Sequence, residues 1–276
     1  MDRITAEILC KITDDFYAAQ AQSFSATRLA PWEGWERVLE EVGLHPATAA
    51  SLEQGLFRNA SVPFTALDVG AGNLRFFKYL REQLPAEWQL DLYAVDNCEA
   101  MLPDEEALAN EMPYVRFEKV DVLQRLIHGA DLADAIEAPA CSLVTSFGLM
   151  HHVPGAALRA DLLDALLRMT APGGYVAVSF WQFMHNADLA AKAQQTHVEA
   201  LAALQINPAV LDSGDFLLSW QDEIPGPGTI RYCHSFTSDE VGALAAQVKD
   251  LANVVAHFEA DGRTGNLNQY LILQKF

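Results

Sequence analysis

The segment that most constrains the fold is a short apolar run that ends in an acid and two glycines. Residues 64–69 read FTALDV and are followed by Gly70-Ala71-Gly72-Asn73. A compact apolar run of this length predicts a buried strand. The glycines allow the backbone to pass close to a ligand without an intervening side chain. The segment therefore predicts a strand that leads directly into a ligand-binding loop.

The chain beyond this segment alternates β-rich runs with amphipathic stretches. Further strands are predicted at 90–95, 115–120, 142–147 and 175–180, and helices at 73–84 and 157–169. This alternation predicts right-handed crossovers and a parallel sheet with helices on both faces. Residues 254–259 and 270–274 flank a Gly-bearing turn and predict an antiparallel hairpin. The predicted fold class is α/β, a Rossmann-like doubly wound, mostly parallel sheet ending in an antiparallel hairpin.

The domain organisation follows from chain length and from the order of these elements. A chain of 276 residues, half of them hydrophobic, is expected to form one domain with one large core. We expect a helical N-terminal segment (1–60), a ligand-binding core (61–180), a cap insertion (181–237) and a final helix and hairpin (238–276). Within the insertion, residues 187–204 predict a helix and residues 220–228 an irregular stretch. The N-terminal segment and the cap insertion are expected to cover the carboxyl ends of the strands, where such sheets bind ligands.

Composition narrows the possible partners. Eighteen Lys+Arg against 37 Asp+Glu give a net charge of −19, which repels phosphate backbones and disfavours tight nucleic-acid binding by this chain alone. The four cysteines form no Cys-x-x-Cys pair, so neither a zinc site nor a disulfide framework is predicted. No apolar run approaches the ~20 residues of a membrane span. We expect a cytoplasmic protein with reduced thiols and no membrane partner.

Three acids, Asp68, Asp96 and Asp121, end the first three predicted strands and are therefore expected in one crevice. A dinucleotide-binding loop would carry a further glycine where this chain has Arg75. S-adenosylmethionine has no pyrophosphate and does not need that glycine. With this cofactor, Asp68 would face the amino end of the methionine moiety, Asp96 the ribose hydroxyls and Asp121 the adenine amino group. Alternatively, each Asp caps a helix.

Four segments resemble the motifs of class I S-adenosylmethionine-dependent methyltransferases. They are LDVGAGN at 67–73, AVD at 94–96, SFGLMHHV at 146–153 and APGGYVAVSF at 171–180. The resemblance implies a methyltransferase with S-adenosyl-L-methionine as cofactor. The expected cofactor-binding residues are Asp68, Gly70, Ala71, Gly72, Asn73, Asp96, Asn97, Asp121, Val122, Ser146 and Phe147.

A narrower resemblance lies outside the core. FYAAQAQSFSATRLAPWEGW at 16–35, Met150-His151-His152 and RYCH at 231–234 are similar to segments of the wobble-uridine tRNA carboxymethyl methyltransferases. This resemblance implies a carboxylate of a modified tRNA wobble uridine as acceptor. It also implies tRNA as a partner and, as in eukaryotic members, a small zinc-binding activator protein. The chain departs from the family at Leu74, where a third glycine is usual, at Arg75, and in its acidity.

The candidate catalytic residues depend on the acceptor. A carboxylate, with a pKa near ~4, is already ionised and needs no general base, so its site requires a cation and hydrogen-bond donors. Arg28 and Arg231 are the candidates, because Arg binds a carboxylate with two parallel hydrogen bonds. Tyr17, Tyr232 and His234 are expected to line the same pocket. In the alternative interpretation, the two arginines pair with some of the many surface acids.

His151 and His152 suggest a second chemistry. One is expected to face the cofactor and the other to cap the next helix, or either acts as general base for an N or O acceptor. Adjacent side chains are expected to diverge, so no metal site is predicted. Trp32, Trp35, Trp181 and Trp220 form an acceptor pocket or serve packing.

Three functions are therefore compatible with the sequence. The first is a methyltransferase acting on the carboxylate of a modified nucleoside or of a small acid. The second is an N- or O-methyltransferase of small molecules that uses a histidine as base. The third is a cofactor-binding regulatory protein without turnover.

Overall fold

A computed structural model of the protein describes residues 1–45, 63–220 and 224–276. Two helices, α1 (Arg3–Ala26) and α2 (Glu33–Glu41), precede the sheet. Asp2 caps α1 by accepting a hydrogen bond from the backbone N–H of Thr5 at 2.9 Å. The predicted helical segment is thus present up to residue 41, and its residues 46–60 lie outside the described residues.

Nine strands form two sheets in the described parts of the chain. They are β1 (Phe64–Val69), β2 (Leu90–Asp96), β3 (Val115–Lys119), β4 (Cys141–Ser146), β5 (Thr170–Trp181), β6 (Asp215–Ser219), β7 (Ile230–His234), β8 (Ala252–Ala260) and β9 (Asn268–Lys275). The main sheet has the order β3-β2-β1-β4-β5-β9-β8, with β1 to β5 parallel and β9 antiparallel to both β5 and β8. The predicted fold class, including the closing hairpin, is confirmed.

Helices cover both faces of the main sheet. The helices after α2 are α3 (Arg75–Gln83), α4 (Glu105–Glu111), α5 (Val122–Ile127), α6 (Ala156–Arg168), α7 (Ala187–Leu204) and α8 (Ser238–Gln247); of these, α7 packs on β6 instead of the main sheet. The side chains of β1 alternate between two apolar clusters: Leu67 and Val69 join one, Phe64 and Ala66 the other. A strand that is buried on both faces reads as a continuous apolar run, which explains why FTALDV was recognisable from sequence. Within the described ranges, no helix combines the length and apolarity that a membrane span requires.

The insertion contains a structure that the sequence did not predict. The predicted helix matches α7, but strands β6 and β7 then form a separate antiparallel sheet on either side of the stretch expected to be irregular. Each strand has five residues and ten residues separate them, so neither a long alternating pattern nor a short hairpin turn marked them. A second difference concerns β5, which begins at Thr170 and includes Pro172-Gly173-Gly174, the residues expected to precede it.

Helix α2 is tied to the closing hairpin by a close approach that only glycine permits. The backbone N–H of Gly34 donates to Asp261 Oδ1 at 2.9 Å. A Cβ at this position would overlap the ring of Tyr270 and lie 2.7 Å from its hydroxyl oxygen. That ring cannot easily move, because its hydroxyl donates to Asp261 Oδ2 at 2.6 Å.

We therefore expect Gly34→Ala to lower the free energy of unfolding by about 1–3 kcal/mol, the usual cost of overpacking. The matched control is Gly242→Ala in α8, where an added Cβ meets no atom within 4 Å. The control should be neutral or stabilising by up to about 1 kcal/mol, because alanine favours helices. Urea denaturation measures both variants. Equal stability of the two variants would contradict the packing described for α2.

Candidate active site

A cavity of about 440 Å³ lies at the carboxyl ends of the central strands, beneath α1. This is the crevice in which doubly wound sheets bind ligands. The predicted residues that line it are Tyr17, Arg28, Trp32, Trp35, Asp68, Gly70, Ala71, Gly72, Asn73, Asp96, Asn97, Asp121, Val122, Phe147, His151, His152, Trp181 and Arg231. The predicted cofactor-binding and acceptor residues thus surround one cavity.

Four of the predicted residues do not line the cavity: Ser146, Trp220, Tyr232 and His234. Ser146 lies beneath it and donates to the backbone oxygen of Val69 at 3.0 Å. The placement of Tyr232 and His234 in the pocket was wrong: both bind the carboxylate of Asp215, at 2.7 Å each. Successive side chains of a strand point to opposite faces. Arg231 faces the cavity, so Tyr232 and His234, one and three residues further along β7, point to the opposite face.

The loop after β1 has the backbone conformation that its glycines suggested. Gly70 and Gly72 have φ values of +80° and +55°. A Cβ at Gly70 would lie 2.7 Å from Cβ of Leu149, so no larger residue fits there. Leu74, where the resembled family has its third glycine, also has a positive φ of +60°. The loop therefore keeps its course despite this departure, and Leu74 adopts a conformation that is costly for a side chain with a Cβ.

Asp96 is held rigidly towards the cavity. Its Oδ2 accepts from the backbone N–H of Gly72 at 2.8 Å, and its Oδ1 accepts from the N–H of Cys98 at 2.9 Å. Burial nevertheless raises the pKa of this carboxyl group. Each oxygen retains a free lone pair, so the carboxylate fits the two ribose hydroxyls of an adenosine cofactor.

Asp121 caps a helix, which was the alternative role considered for the three acids that follow the strands. Its Oδ1 accepts from the backbone N–H of Gln124 at 2.9 Å and so caps α5, while the residue also lines the cavity. Asp14 of α1 was not predicted as a site residue; it lies near Asp121 in the cavity wall and accepts from the side-chain amide of Asn97 at 2.8 Å. Burial and the nearby Asp121 raise the pKa of Asp14 to about 6.

Asp68 is another acid of the cavity wall; it lies near Asp96, as Asp14 lies near Asp121. Only 2% of Asp68 is exposed, and it accepts from the hydroxyl of Thr145 at 2.8 Å. Burial raises the pKa of Asp68 to about 7. S-adenosylmethionine carries positive charges on its sulfonium and ammonium groups, so a cavity wall with these acids fits this cofactor.

The raised pKa of Asp68 predicts a pH-dependent cofactor affinity. Only the ionised carboxylate attracts the cationic ammonium, so affinity should fall as pH decreases through about 7, by up to about tenfold per pH unit. Asp14, with a pKa of about 6, should extend the fall to lower pH. Calorimetric titration between pH 5.5 and 8.5 measures this slope. Asp68→Asn should bind weakly with a flatter profile, and an unchanged slope in this variant would contradict the assignment.

The cavity wall also carries two arginines, Arg28 and Arg231, that have no acidic partner among the described residues. Arg231 is only 5% exposed, and its Cζ lies 4.9 Å from the ring of Phe16. Arg28 is half-buried, and its Cζ lies 3.9 Å from the ring of Phe24. Both guanidinium groups also lie against Trp220, at 5.4 and 5.1 Å. No ion pair joins either arginine to a carboxylate of the described residues, in contrast to the alternative interpretation of the sequence.

His152 is fully engaged. The backbone oxygen of Tyr232 lies 2.7 Å from its Nδ1 and can only accept, so Nδ1 carries the proton. Nε2 therefore accepts from the hydroxyl of Tyr17 at 2.9 Å. Burial and the neighbouring Arg231 lower the pKa of His152 to about 3. It does not cap α6, since the residue before that helix is Gly155.

His151 differs, because its Nδ1 is buried without a hydrogen-bond partner. Burial, His152 and Arg231 hold its pKa well below the usual value, so it remains neutral. The two histidine rings do not diverge as expected: their centroids are 4.1 Å apart, and Cys233 offers a third ligand atom nearby. This trio does not fit a metal ion. Both nitrogens of His152 are occupied, the pKa of the Cys233 thiol is raised to about 11 by burial, and Arg231 adds positive charge.

Comparisons with known proteins agree with this geometry. Residues 67–178 match the methyltransferase domain family. No curated protein matches the sequence significantly. Among solved structures, a DhpI–SAM–HEP complex is 16% identical with a TM-score of 0.54, over 96% of this chain and 97% of that one. A SAM-dependent methyltransferase from Methanosarcina mazei is 16% identical with a TM-score of 0.52, over 78% and 93% of the two chains.

A SAM-dependent methyltransferase from Aquifex aeolicus is also similar, at 16% identity and a TM-score of 0.50, over 92% of this chain and 98% of that one. At these identities the structural likeness shows the fold. The family match covers the glycine loop and most of the strands that surround the cavity. The protein is an enzyme, a methyltransferase of the class I fold with S-adenosylmethionine as cofactor.

Proposed function

We propose that this S-adenosylmethionine-dependent methyltransferase methylates a carboxylate of a small acid, and that Arg231 binds this carboxylate. One observation carries the proposal. In the described part of the chain, five buried side-chain polar atoms have no hydrogen-bond partner, and all five are nitrogens. Each belongs to the cavity wall or lies against it: Trp35 Nε1, Arg75 Nε, His151 Nδ1, Trp220 Nε1 and Arg231 Nη1.

Four of these nitrogens can only donate, and His151 Nδ1 donates in one of its two neutral tautomers. A carboxylate complements such a surface because it only accepts hydrogen bonds. Arg231 is the strongest of these donors, since its guanidinium is charged, buried and without a carboxylate of its own among the described residues. Leaving a buried charge unpaired is expensive, which favours a ligand that brings the opposite charge. Neutral His151 presents one further ring nitrogen to the cavity.

The chemistry requires little beyond this positioning. The bound cofactor supplies an electrophilic methyl group, and transfer is an in-line displacement that depends on alignment and exclusion of water. Arg231 would orient the attacking carboxylate, and the rings of Phe16, Phe24 and Trp220 around the guanidinium would exclude water. The acceptor is already ionised at neutral pH, so no residue has to remove a proton.

The histidines do not favour the N- or O-methyltransferase alternative. A general base should have a pKa near the working pH. The pKa of His152 is about 3 and both of its nitrogens are engaged, while burial holds the pKa of His151 far below the useful range.

The choice of a small acid over a tRNA nucleoside rests on charge and enclosure. The chain carries a net charge of −19, and the arginines lie within a cavity of about 440 Å³ under α1. We would incubate the enzyme with labelled S-adenosylmethionine and, separately, with tRNA and with small-metabolite fractions. Label in the small acids, lost in the Arg231→Met variant, is the expected result. Label confined to tRNA would transfer the proposal to the carboxymethyl nucleoside that the sequence resemblance implies.

A further inference from the structure

Among the described residues, three arginines line the cavity, and they differ in depth and in partners. Arg231 is buried beside His151 and His152. Arg75 donates from Nη1 to the backbone oxygen of Ala30 at 2.8 Å, and its charge lies near Asp261. Arg28 is half-buried and has no carboxylate partner among the described residues.

The backbone around Arg28 is attached directly to the cofactor loop. The side-chain amide of Asn73, the residue after Gly72, donates to the backbone oxygen of Arg28 at 3.1 Å and to the hydroxyl of Ser25 at 3.2 Å. The bond from Arg75 to Ala30 adds a third tie. Residues 25–30 therefore form a strap that is fastened to the loop just beyond its glycines.

The cofactor needs a cation that the strand ends do not provide. S-adenosylmethionine carries a carboxylate next to its ammonium group, and the charged strand-end residues of the cavity, Asp68, Asp96 and Asp121, are all acids. Arg75 is already engaged by Ala30 and Asp261, and Arg231 lies deep beside the histidines. Arg28 is the arginine that the strap holds next to the cofactor loop.

We infer that Arg28 binds the carboxylate of the cofactor's methionine moiety, which leaves Arg231 for the acceptor. The sequence analysis assigned both arginines to the acceptor carboxylate. Here Arg28 binds the cofactor and Arg231 binds the acceptor. One nitrogen of Arg28, Nη1, donates to the hydroxyl of Thr27 at 2.9 Å, and the remaining N–H groups are available for two parallel bonds to a carboxylate. The inference rests on the cofactor and not on the proposed acceptor.

The test compares S-adenosylmethionine with its decarboxylated analogue, which lacks only this carboxylate. We expect the wild-type enzyme to bind the complete cofactor at least about tenfold more tightly in calorimetry. Arg28→Met should bind both compounds with similar affinity, close to that of the wild type for the analogue. Arg28→Lys keeps the positive charge but cannot form two parallel hydrogen bonds to a carboxylate. It should therefore recover part of the preference for the complete cofactor.

Two further variants serve as controls. Arg231→Met should keep the wild-type preference. Arg37→Met removes an arginine of α2 that lies 4.1 Å from the Phe258 ring, outside the cavity, and should also keep it. Near-ultraviolet circular dichroism checks folding. If Arg28→Met is unfolded, the inference is tested by comparing how the wild type and Arg28→Lys bind S-adenosylmethionine and its decarboxylated analogue.

Several results would overturn the inference. They are equal binding of the two compounds by the wild type, an undiminished preference in Arg28→Met, or normal cofactor affinity with lost turnover in that variant, which would assign Arg28 to the acceptor. An acceptor other than a carboxylate would refute the proposed function and leave these binding results unaffected.

Discussion

Replacing Arg231 with methionine is expected to reduce kcat/KM for the acceptor by about 100-fold or more, while the dissociation constant of S-adenosylmethionine stays unchanged. Methionine keeps much of the apolar contact with Phe16 and Trp220 but supplies neither charge nor donors. The same change should raise, or at least maintain, the melting temperature, because it removes a buried charge that has no carboxylate partner among the described residues. Lower activity with undiminished stability is the signature of a ligand-binding arginine.

Arg37→Met is again the matched control and should leave both kinetics and cofactor binding unchanged, because Arg37 lies on α2 and pairs with Glu41. Turnover within about twofold of wild type in Arg231→Met would refute the assigned role. Loss of activity together with loss of stability would instead make Arg231 a structural residue.

Replacing Asp96 with alanine is expected to weaken cofactor binding by at least about 100-fold, since two hydrogen bonds to a charged group are lost and each contributes about 1.5–3 kcal/mol. The carboxylate is pre-oriented by the N–H groups of Gly72 and Cys98, so its geometry does not depend on a bound ligand. The variant also leaves those two N–H groups without their acceptor, so Gly72 and the loop around it should become more mobile.

Asp121→Ala provides the contrast. Asp121 caps α5, so its removal should cost about 1 kcal/mol of stability and affect cofactor affinity less than the change at Asp96. Calorimetry and thermal unfolding of both variants separate the two roles. Cofactor affinity of Asp96→Ala within about threefold of wild type would contradict the assignment of Asp96 to the ribose.

The main sheet was predictable because its signals are local. FTALDV and SLVTSF are buried on both faces. Asp68 is the next-to-last residue of β1 and Asp96 is the last residue of β2, so an acid marks the end of each strand in the sequence. The glycine loop was predictable for the same reason, since Gly70 and Gly72 take conformations that other residues avoid.

The rest of the cavity wall depended on tertiary placement that no local pattern encodes. Asp14 reaches the cavity only because α1 lies across the strand ends, and nothing in its own segment marks it. Tyr232 was misassigned because a strand side chain changes face with every residue, and β7 itself was unrecognised. The engagement of His152 by Tyr17 also joins residues 135 positions apart.

The stability of the transferred methyl group to base tests the central claim most directly. We would transfer labelled methyl groups to the small-acid fraction, treat the product with mild alkali and measure volatile label. A methyl ester releases labelled methanol, and we expect the wild-type enzyme, but not Arg231→Met, to form such a product. Label that remains bound after alkali, as on a nitrogen or an ether oxygen, would contradict carboxylate methylation and the role proposed for Arg231.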